Sequence, residues 1–366
     1  MRFFDDHPGA HGTTNPSPSI TQQSQTQTRP AESVERPHKP QLADQFAQAL
    51  EHHAKALGFE RVGWIAIETL ESERERLNQW LAAGHHAGME WMTRHLEHRL
   101  SPEKLFPAAQ SVVCVAINYY PGEAEASAPP AALKIARYAM GRDYHKLIRG
   151  RLRQLLRLLQ EAFPELALTG RALADSAPLL ERALAERAGL GWRGKHGLLI
   201  TPNRGSWVFL GELLLSYPVP EPKNPLVAAP VPDYCGRCTR CIDACPTQAI
   251  LPERSVDARR CIAYWTIESD AETLPEHITS NQENWIFGCD ICQEVCPWNT
   301  KLAQPTQEPL WQTLETHTTP PDYWLTLDET GFEQRFGRTP LRRTGLTRLK
   351  RNVSAATRTY TALKRK

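Results

Sequence analysis

From Gln41 onward the chain alternates between stretches of helical and of extended periodicity. Leu42, Phe46, Ala49 and Leu50 recur on one helix face, and Gly58 stands where that helix would end. Arg61–Ile67 (RVGWIAI) reads as a strand, Glu71–Ala83 as a helix with a charged face stopped by Gly84, and Ser111–Tyr120 (SVVCVAINYY) as a buried strand. Asp143–Phe163 predicts a helix with Leu147, Leu155, Leu158 and Leu159 inward and Lys146, Arg149, Arg151, Arg153 and Arg157 outward. Ala177–Ala188 predicts another, with Asp175 or Ser176 as its N-cap and Gly189 as its stop. Strands at Leu198–Thr201 and Trp207–Leu215 follow, joined by Asn203-Arg204-Gly205. This alternation predicts a mixed α/β (α+β) domain over residues 41–217.

The flanking segments differ in kind. Residues 1–40 are rich in Ser, Thr, Gln and Pro and nearly free of large apolar side chains, so a disordered tail is expected there. Residues 218–232 hold six prolines and predict a stiff linker to a cysteine-rich segment over 233–303. A helical piece over 304–366 completes the chain.

Composition changes this picture in two ways. The 366 residues carry 43 Lys+Arg against 41 Asp+Glu, a formal net charge of +2, yet the last 32 hold eleven basic residues and no acidic one. Residues 1–334 are thus acidic, at 32 basic against 41 acidic, and the near-neutral total conceals a basic end suited to a phosphate backbone. Second, eight of the nine cysteines fall between Cys235 and Cys296. No secretory signal opens the chain and no apolar run approaches the roughly 18 residues of a membrane span, so a cytoplasmic, non-membrane protein is expected. In that setting clustered thiols bind metal. Cys114, alone in an apolar strand, reads as a small core residue.

Cys235-x2-Cys238-x2-Cys241-x3-Cys245-Pro246 matches the bacterial ferredoxin run for a 4Fe–4S cluster. Cys289-x2-Cys292-x3-Cys296-Pro297 repeats its later half, with Cys261 upstream as the missing member. The fourth cysteine of such a run serves the other cluster. Cys235, Cys238, Cys241 and Cys296 are therefore expected to hold one cluster, and Cys245, Cys261, Cys289 and Cys292 the second. Zinc sites use two separated CxxC pairs instead. Gly189-x4-Gly194-Lys195 imitates a phosphate loop, but His196 replaces the required Ser or Thr and the loop runs from helix to strand, so ATP binding is not expected.

Asp175-Ser-Ala-Pro-Leu-Leu-Glu-Arg-Ala-Leu-Ala-Glu-Arg-Ala-Gly-Leu-Gly-Trp-Arg-Gly-Lys195 closely resembles the epoxyqueuosine reductases. So do Gly141-Arg142-Asp143-Tyr144-His145, Cys261-Ile-Ala-Tyr-Trp-Thr-Ile-Glu268 and Phe287-Gly-Cys-Asp-Ile-Cys-Gln-Glu-Val-Cys-Pro-Trp-Asn299, and the likeness spans about 41–355. The resemblance implies a cobalamin-binding α/β domain, a ferredoxin-like two-cluster module and a helical C-terminal part. The implied activity is the last step of queuosine synthesis: removal of the epoxide oxygen of epoxyqueuosine at the tRNA wobble position, using cobalamin and two 4Fe–4S clusters.

It further implies Asp175 as proton donor, for which an apolar site raising its pKa is expected. Arg99, Asp143, Asp175 itself, Trp192, Gly194, Lys195, His196, Thr266 and Asp290 are implied near the cobalamin, although Gly-Lys-His-Gly stands where Gly-Lys-Asn-Thr is usual in the family. Arg342, Arg343, Arg348, Lys350 and Arg351 are implied at the tRNA. A low-potential electron donor of ferredoxin or flavodoxin type and a monomeric state complete the expectation. Two other readings remain open at this level: a reductive dehalogenase-like cobalamin enzyme, and a non-catalytic electron carrier.

Overall fold

The computed structural model describes residues 39–122, 133–220, 231–308 and 319–363, with side chains from 41 to 357. Residues 1–38 of the tail expected over 1–40, most of the proline-rich linker, and the side chains of Arg358, Lys364, Arg365 and Lys366 lie outside these; Lys39 and Pro40, expected in the tail, instead begin the first helix. The first half runs α1 (Lys39–Ala56), β1 (Arg61–Ala66), α2 (Glu71–Ala82), α3 (Leu96–Leu100), β2 (Ser111–Asn118), β3 (Lys134–Ile135), α4 (Tyr144–Ala162), β4 (Gly170–Leu173), α5 (Glu181–Arg187), β5 (Trp192–Arg193), β6 (Leu199–Ile200) and β7 (Val208–Leu215).

Four of these strands form an antiparallel sheet in the order β1-β2-β7-β4. Every residue of β2 is buried, because both faces of this central strand are covered. Val113, Val115 and Ile117 pack with Phe46 and Leu50 of α1 and Ile148, Leu152, Leu155 and Leu159 of α4. Val112, Cys114 and Ala116 point the other way, into a core with Leu184 and Ala188 at α5. Gly63 of β1 lies where a Cβ would come within 2.0 Å of the Ala188 carbonyl, so only glycine lets α5 end against the sheet.

Two helix expectations need correcting. In α4 the buried stripe is Ile148, Leu152, Leu155 and Leu159, while Leu147 and Leu158 are half-buried. The predicted Ala177–Ala188 helix starts only at Glu181, and neither Asp175 nor Ser176 caps it. Pro178 disfavours helical geometry at Ala177, and Asp175 has φ +57°, outside the extended geometry of an N-cap.

The second half runs α6 (Arg240–Asp243), β8 (Ile250–Leu251), β9 (Ser255–Val256), α7 (Ile262–Ile267), α8 (Glu276–Thr279), β10 (Trp285–Phe287), α9 (Ile291–Glu294), α10 (Pro297–Leu302), α11 (Pro321–Thr326), α12 (Glu329–Phe336) and α13 (Gly345–Leu363). β10 pairs in parallel with β3, joining segments on either side of the proline-rich stretch. α13 packs on β10, α7 and α11. There the wholly buried Asn352 donates through Nδ2 to the carbonyls of Thr266 (2.8 Å) and Ile286 (2.9 Å), pinning the helix over the cysteine segment. Among the described residues no helix is long and apolar enough to cross a membrane.

Candidate active site

The first turn of α4 and the loop after β4 bring three ionisable side chains into line. Asp143 caps α4, its carboxylate accepting from the backbone N–H of His145 (3.0 Å) and meeting His145 Nδ1 (2.7 Å). On the other edge of the ring, His145 Nε2 meets Asp175 Oδ2 at 2.7 Å, and the Tyr144 hydroxyl donates to the same oxygen at 3.0 Å. Tyr144 is held between the rings of His145 and Phe209, at 4.1 and 4.0 Å.

The electrostatics follow from this arrangement. Burial pulls the His145 pKa down, but its hydrogen bonds to Asp175 and Asp143 and their charges outweigh that and raise it. Burial pushes Asp175 up, but the His145 and Tyr144 hydrogen bonds and the charges of His145 and Arg343 hold it below its ordinary value. The expected apolar site with a raised pKa is therefore not what surrounds Asp175. Its side chain is 54% exposed and carries polar partners, and the proton of the group rests on the imidazole.

Behind Asp175 lies a second pair of carboxyls, which the sequence analysis did not single out. The backbone N–H of Asp175 donates to Glu181 Oε1. The Glu181 side chain meets that of Glu212, which is wholly buried mid-strand in β7, opposite Cys114 and Leu173. Burial first, then the charge of Asp175, raises Glu181 to about 7, and burial together with Glu181 raises Glu212 well above the ordinary range. Such a pair sheds its charge by keeping protons. Only the polar position inside the apolar run Val208–Leu215 could have flagged Glu212.

Tyr138, half-buried beside Tyr144 and Phe287, marks where the loop after β4, the cysteine segment and the C-terminal region meet. Burial raises its pKa, followed by the charges of Asp175, Glu268 and Asp290, with Arg343 opposing. Asp290 is buried and engaged, its Oδ2 accepting from the Arg137 backbone (2.7 Å) with the Arg137 guanidinium at 3.5 Å. Thr266 is likewise engaged, donating to the Ile262 carbonyl (2.8 Å) and accepting from Gly288 N–H (3.0 Å). Both brace the cysteine segment. Arg99 is buried, not solvated, and its guanidinium lies over Trp91, donating to that residue's carbonyl at 3.0 Å.

Trp192, Gly194, Lys195 and His196 sit towards the first thiol set. Lys195 Nζ donates to the carbonyls of Gly236 (2.7 Å) and Cys238 (2.9 Å), clamping the cysteine loop. His196 accepts from Leu198 N–H at Nδ1 (3.2 Å), which places its proton on the buried Nε2. Gly194 packs against Ile200 and His196, and Trp192 against Trp298.

Cys235, Cys238, Cys241 and Cys296 border one cavity of about 130 Å³, with Lys195, His196, Tyr234 and Trp298. Cys245, Cys261 and Cys292 act on one another electrostatically, as do Cys261, Cys289 and Cys292. Among the described residues no three such side chains converge on a single metal-ion position. A cavity walled by four thiols, with Trp192 Nε1 and His196 Nε2 buried nearby without a protein partner, fits a cluster whose sulfides accept hydrogen bonds.

The basic C-terminal residues divide. Arg343 is bidentate to Glu268 at 2.6 and 2.7 Å, and Arg348 reaches Asp270 at 2.9 Å. Arg351 donates to the carbonyls of Ser269 (3.0 Å) and Trp265 (2.7 Å). These three, expected to face RNA, fasten α13 and the turn before it to the segment 265–271. Arg342 stays exposed, with only a 3.4 Å pairing to Glu333, and Lys350 is half-buried.

Comparison with known proteins defines the class first. The 4Fe-4S double cluster binding domain family matches residues 234–299, which supports iron–sulfur clusters in this chain. The family described as epoxyqueuosine reductase QueG, DUF1730, matches residues 99–176. An epoxyqueuosine reductase of Cyclobacterium marinum is 40% identical over 85% of this chain and 96% of its own length. Another, of Aliivibrio fischeri, is 46% identical over 72% of this chain and 69% of its own. The crystal structure of an epoxyqueuosine reductase with a tRNA-Tyr epoxyqueuosine-modified stem loop superposes with a TM-score of 0.76, at 29% identity over 87% of this chain and 82% of that one. The chain belongs to the epoxyqueuosine reductase family.

Proposed function

We propose that this protein reduces epoxyqueuosine to queuosine at the wobble position of tRNA, the last step in making that base, with Asp175 as proton donor. The observation that carries the assignment of Asp175 is the line Asp143–His145–Asp175, with 2.7 Å on each side of the imidazole. Converting an epoxide to an alkene takes two electrons and two protons and releases water. Cobalamin, when bound, supplies electrons at the substrate carbon, and the clusters feed it.

The chain's own residues supply position and protons. His145, charged and shared between two carboxylates, keeps a proton within 2.7 Å of Asp175 Oδ2 and can pass it to that oxygen, through which Asp175 delivers it to the substrate. Tyr144 holds the same oxygen in place, and Glu181 fixes the loop through the Asp175 N–H. Cobalamin fits beside this line, where the exposed carboxyl of Asp175 and the guanidinium of Arg343 offer polar groups to its amide fringe. The first cluster is assigned to Cys235, Cys238, Cys241 and Cys296 and the second to Cys245, Cys261, Cys289 and Cys292. Electrons come from a soluble low-potential carrier, and the enzyme acts in the cytoplasm as a monomer.

Asp175→Asn tests the assignment. Nucleoside analysis by mass spectrometry after anaerobic incubation with epoxyqueuosine-containing tRNA should show turnover reduced at least about a hundredfold, with stem-loop binding retained. Full turnover in this variant removes Asp175 from the role of donor.

A further inference from the structure

The nine cysteines differ sharply in access. Cys238 alone is exposed, in the loop that begins the first thiol set, while Cys241 and Cys296 of the same set are buried. Cys289 and Cys292 lie beside the buried Asp290. The first set is thus the one that meets solvent. The surface around it is not featureless. Tyr234 is 53% exposed and, with Trp91, is one of two large hydrophobic side chains exposed among the described residues. Its ring is fixed from behind by Trp192 at 5.2 Å and Trp298 at 5.7 Å, so an exposed aromatic is held in place before anything binds.

Charge completes the patch. Arg237 on this loop and Arg240 at the start of α6 are exposed and make no ion pair among the described residues. The neighbouring acids are already engaged, Asp233 by Arg254 and Asp243 by the Thr239 hydroxyl at 2.7 Å. Lys195 beneath is committed to the loop carbonyls. A fixed aromatic ringed by uncompensated arginines is the composition of a protein-binding hot spot, and its sign selects an acidic partner.

We propose that Tyr234, Arg237 and Arg240 form the docking face for a small acidic one-electron carrier protein, which delivers electrons to the first cluster at the exposed Cys238. Each encounter oxidises the carrier by one electron and reduces the cluster by one, with no bond made or broken. This rests on the cluster reading above. A bound RNA would also meet the arginines, but a phosphate backbone has no use for an exposed thiolate corner, and the carrier accounts for all three features.

The test is anaerobic stopped-flow reduction of the cluster-loaded full chain, followed by cluster absorbance, with a reduced acidic flavodoxin as donor. Reduced methyl viologen, a small cation, serves as the second donor. In R237E/R240E the flavodoxin rate at low salt should fall at least about tenfold and lose its decline with ionic strength, while the viologen rate does not fall. R237K/R240K, which keeps the charge, should retain most of the flavodoxin rate. Iron content is measured first, and if the double reversal loads poorly, Arg237→Glu alone should still slow flavodoxin at least about threefold. An unchanged flavodoxin rate, or an equal fall with both donors, overturns the docking face. So does weakened tRNA stem-loop binding with reduction by flavodoxin intact, which would make the patch an RNA contact. A wild-type chain whose clusters neither donor reduces would instead sink the cluster reading itself.

Discussion

Replacing Glu181 by Gln isolates what the carboxyl pair Glu181–Glu212 does. Glu181 titrates near 7 against an ordinary 4.5 because burial and the charge of Asp175 oppose its ionisation. Between those values the folded chain keeps a proton that the unfolded chain has released, so stability falls as pH rises, by about 1.4 kcal/mol per unit. The full interval amounts to about 3 kcal/mol, of which about 2 kcal/mol falls between pH 5.5 and 7. Cys114, Asp175, Arg182 and Glu212 are the ionisable groups around the pair, and the net effect of burial and these charges is upward. Glutamine mimics the protonated acid. Its Oε1 still accepts from Asp175 N–H and its Nε2 donates towards Glu212, so the loop stays anchored. Urea unfolding of the anaerobically loaded protein, followed by circular dichroism from pH 5.5 to 8, should show the wild type losing about 2 kcal/mol relative to Glu181→Gln by pH 7. Parallel pH profiles for the two proteins would refute the shared-proton account of Glu181 and Glu212.

Two further outcomes follow from the geometry. His145→Gln removes the cation that holds Asp175 low, so kcat should fall on the order of a hundredfold, with the alkaline limb of the activity profile, set by loss of the His145 proton, disappearing. Arg342→Ala should reduce the salt slope of stem-loop binding by about one unit, measured by fluorescence anisotropy across ionic strength. Arg343→Ala, because Glu268 already holds that guanidinium, should leave the slope unchanged and cost less than about 1 kcal/mol of stability.

The sequence and the structure agree most where one local rule acts alone. The alternation in SVVCVAINYY yields a central strand whose odd and even residues enter different cores, and the cysteine spacing finds the thiols that border one cavity. They part where a rule competes with something distant in the chain. Helical periodicity over 177–188 is overridden at its start by Pro178 and by the left-handed Asp175, whose carboxyl is claimed by α4. Hydropathy shows a lone acid inside FLGELLL but not that it keeps its proton, because the Glu181 carboxyl that opposes its ionisation lies 31 positions earlier. The basic count of the C-terminal region reads as RNA affinity, but charge alone does not tell an arginine facing phosphate from one tied to a carbonyl 80 residues away, as Arg348 is.

The interleaving of the two thiol sets bears on how the protein matures. Cys296 borders the cavity of Cys235, Cys238 and Cys241, while Cys245 acts on Cys261 and Cys292. Neither set closes until translation has passed Cys292, and the first waits for Cys296. A ribosome-bound fragment ending at the first motif would offer three thiolates of an unfinished site, exposed to oxidation and to the wrong metal. On the proposed assignment the two sets close within four residues of each other, so neither centre can be filled before the second motif is made and the two are completed together.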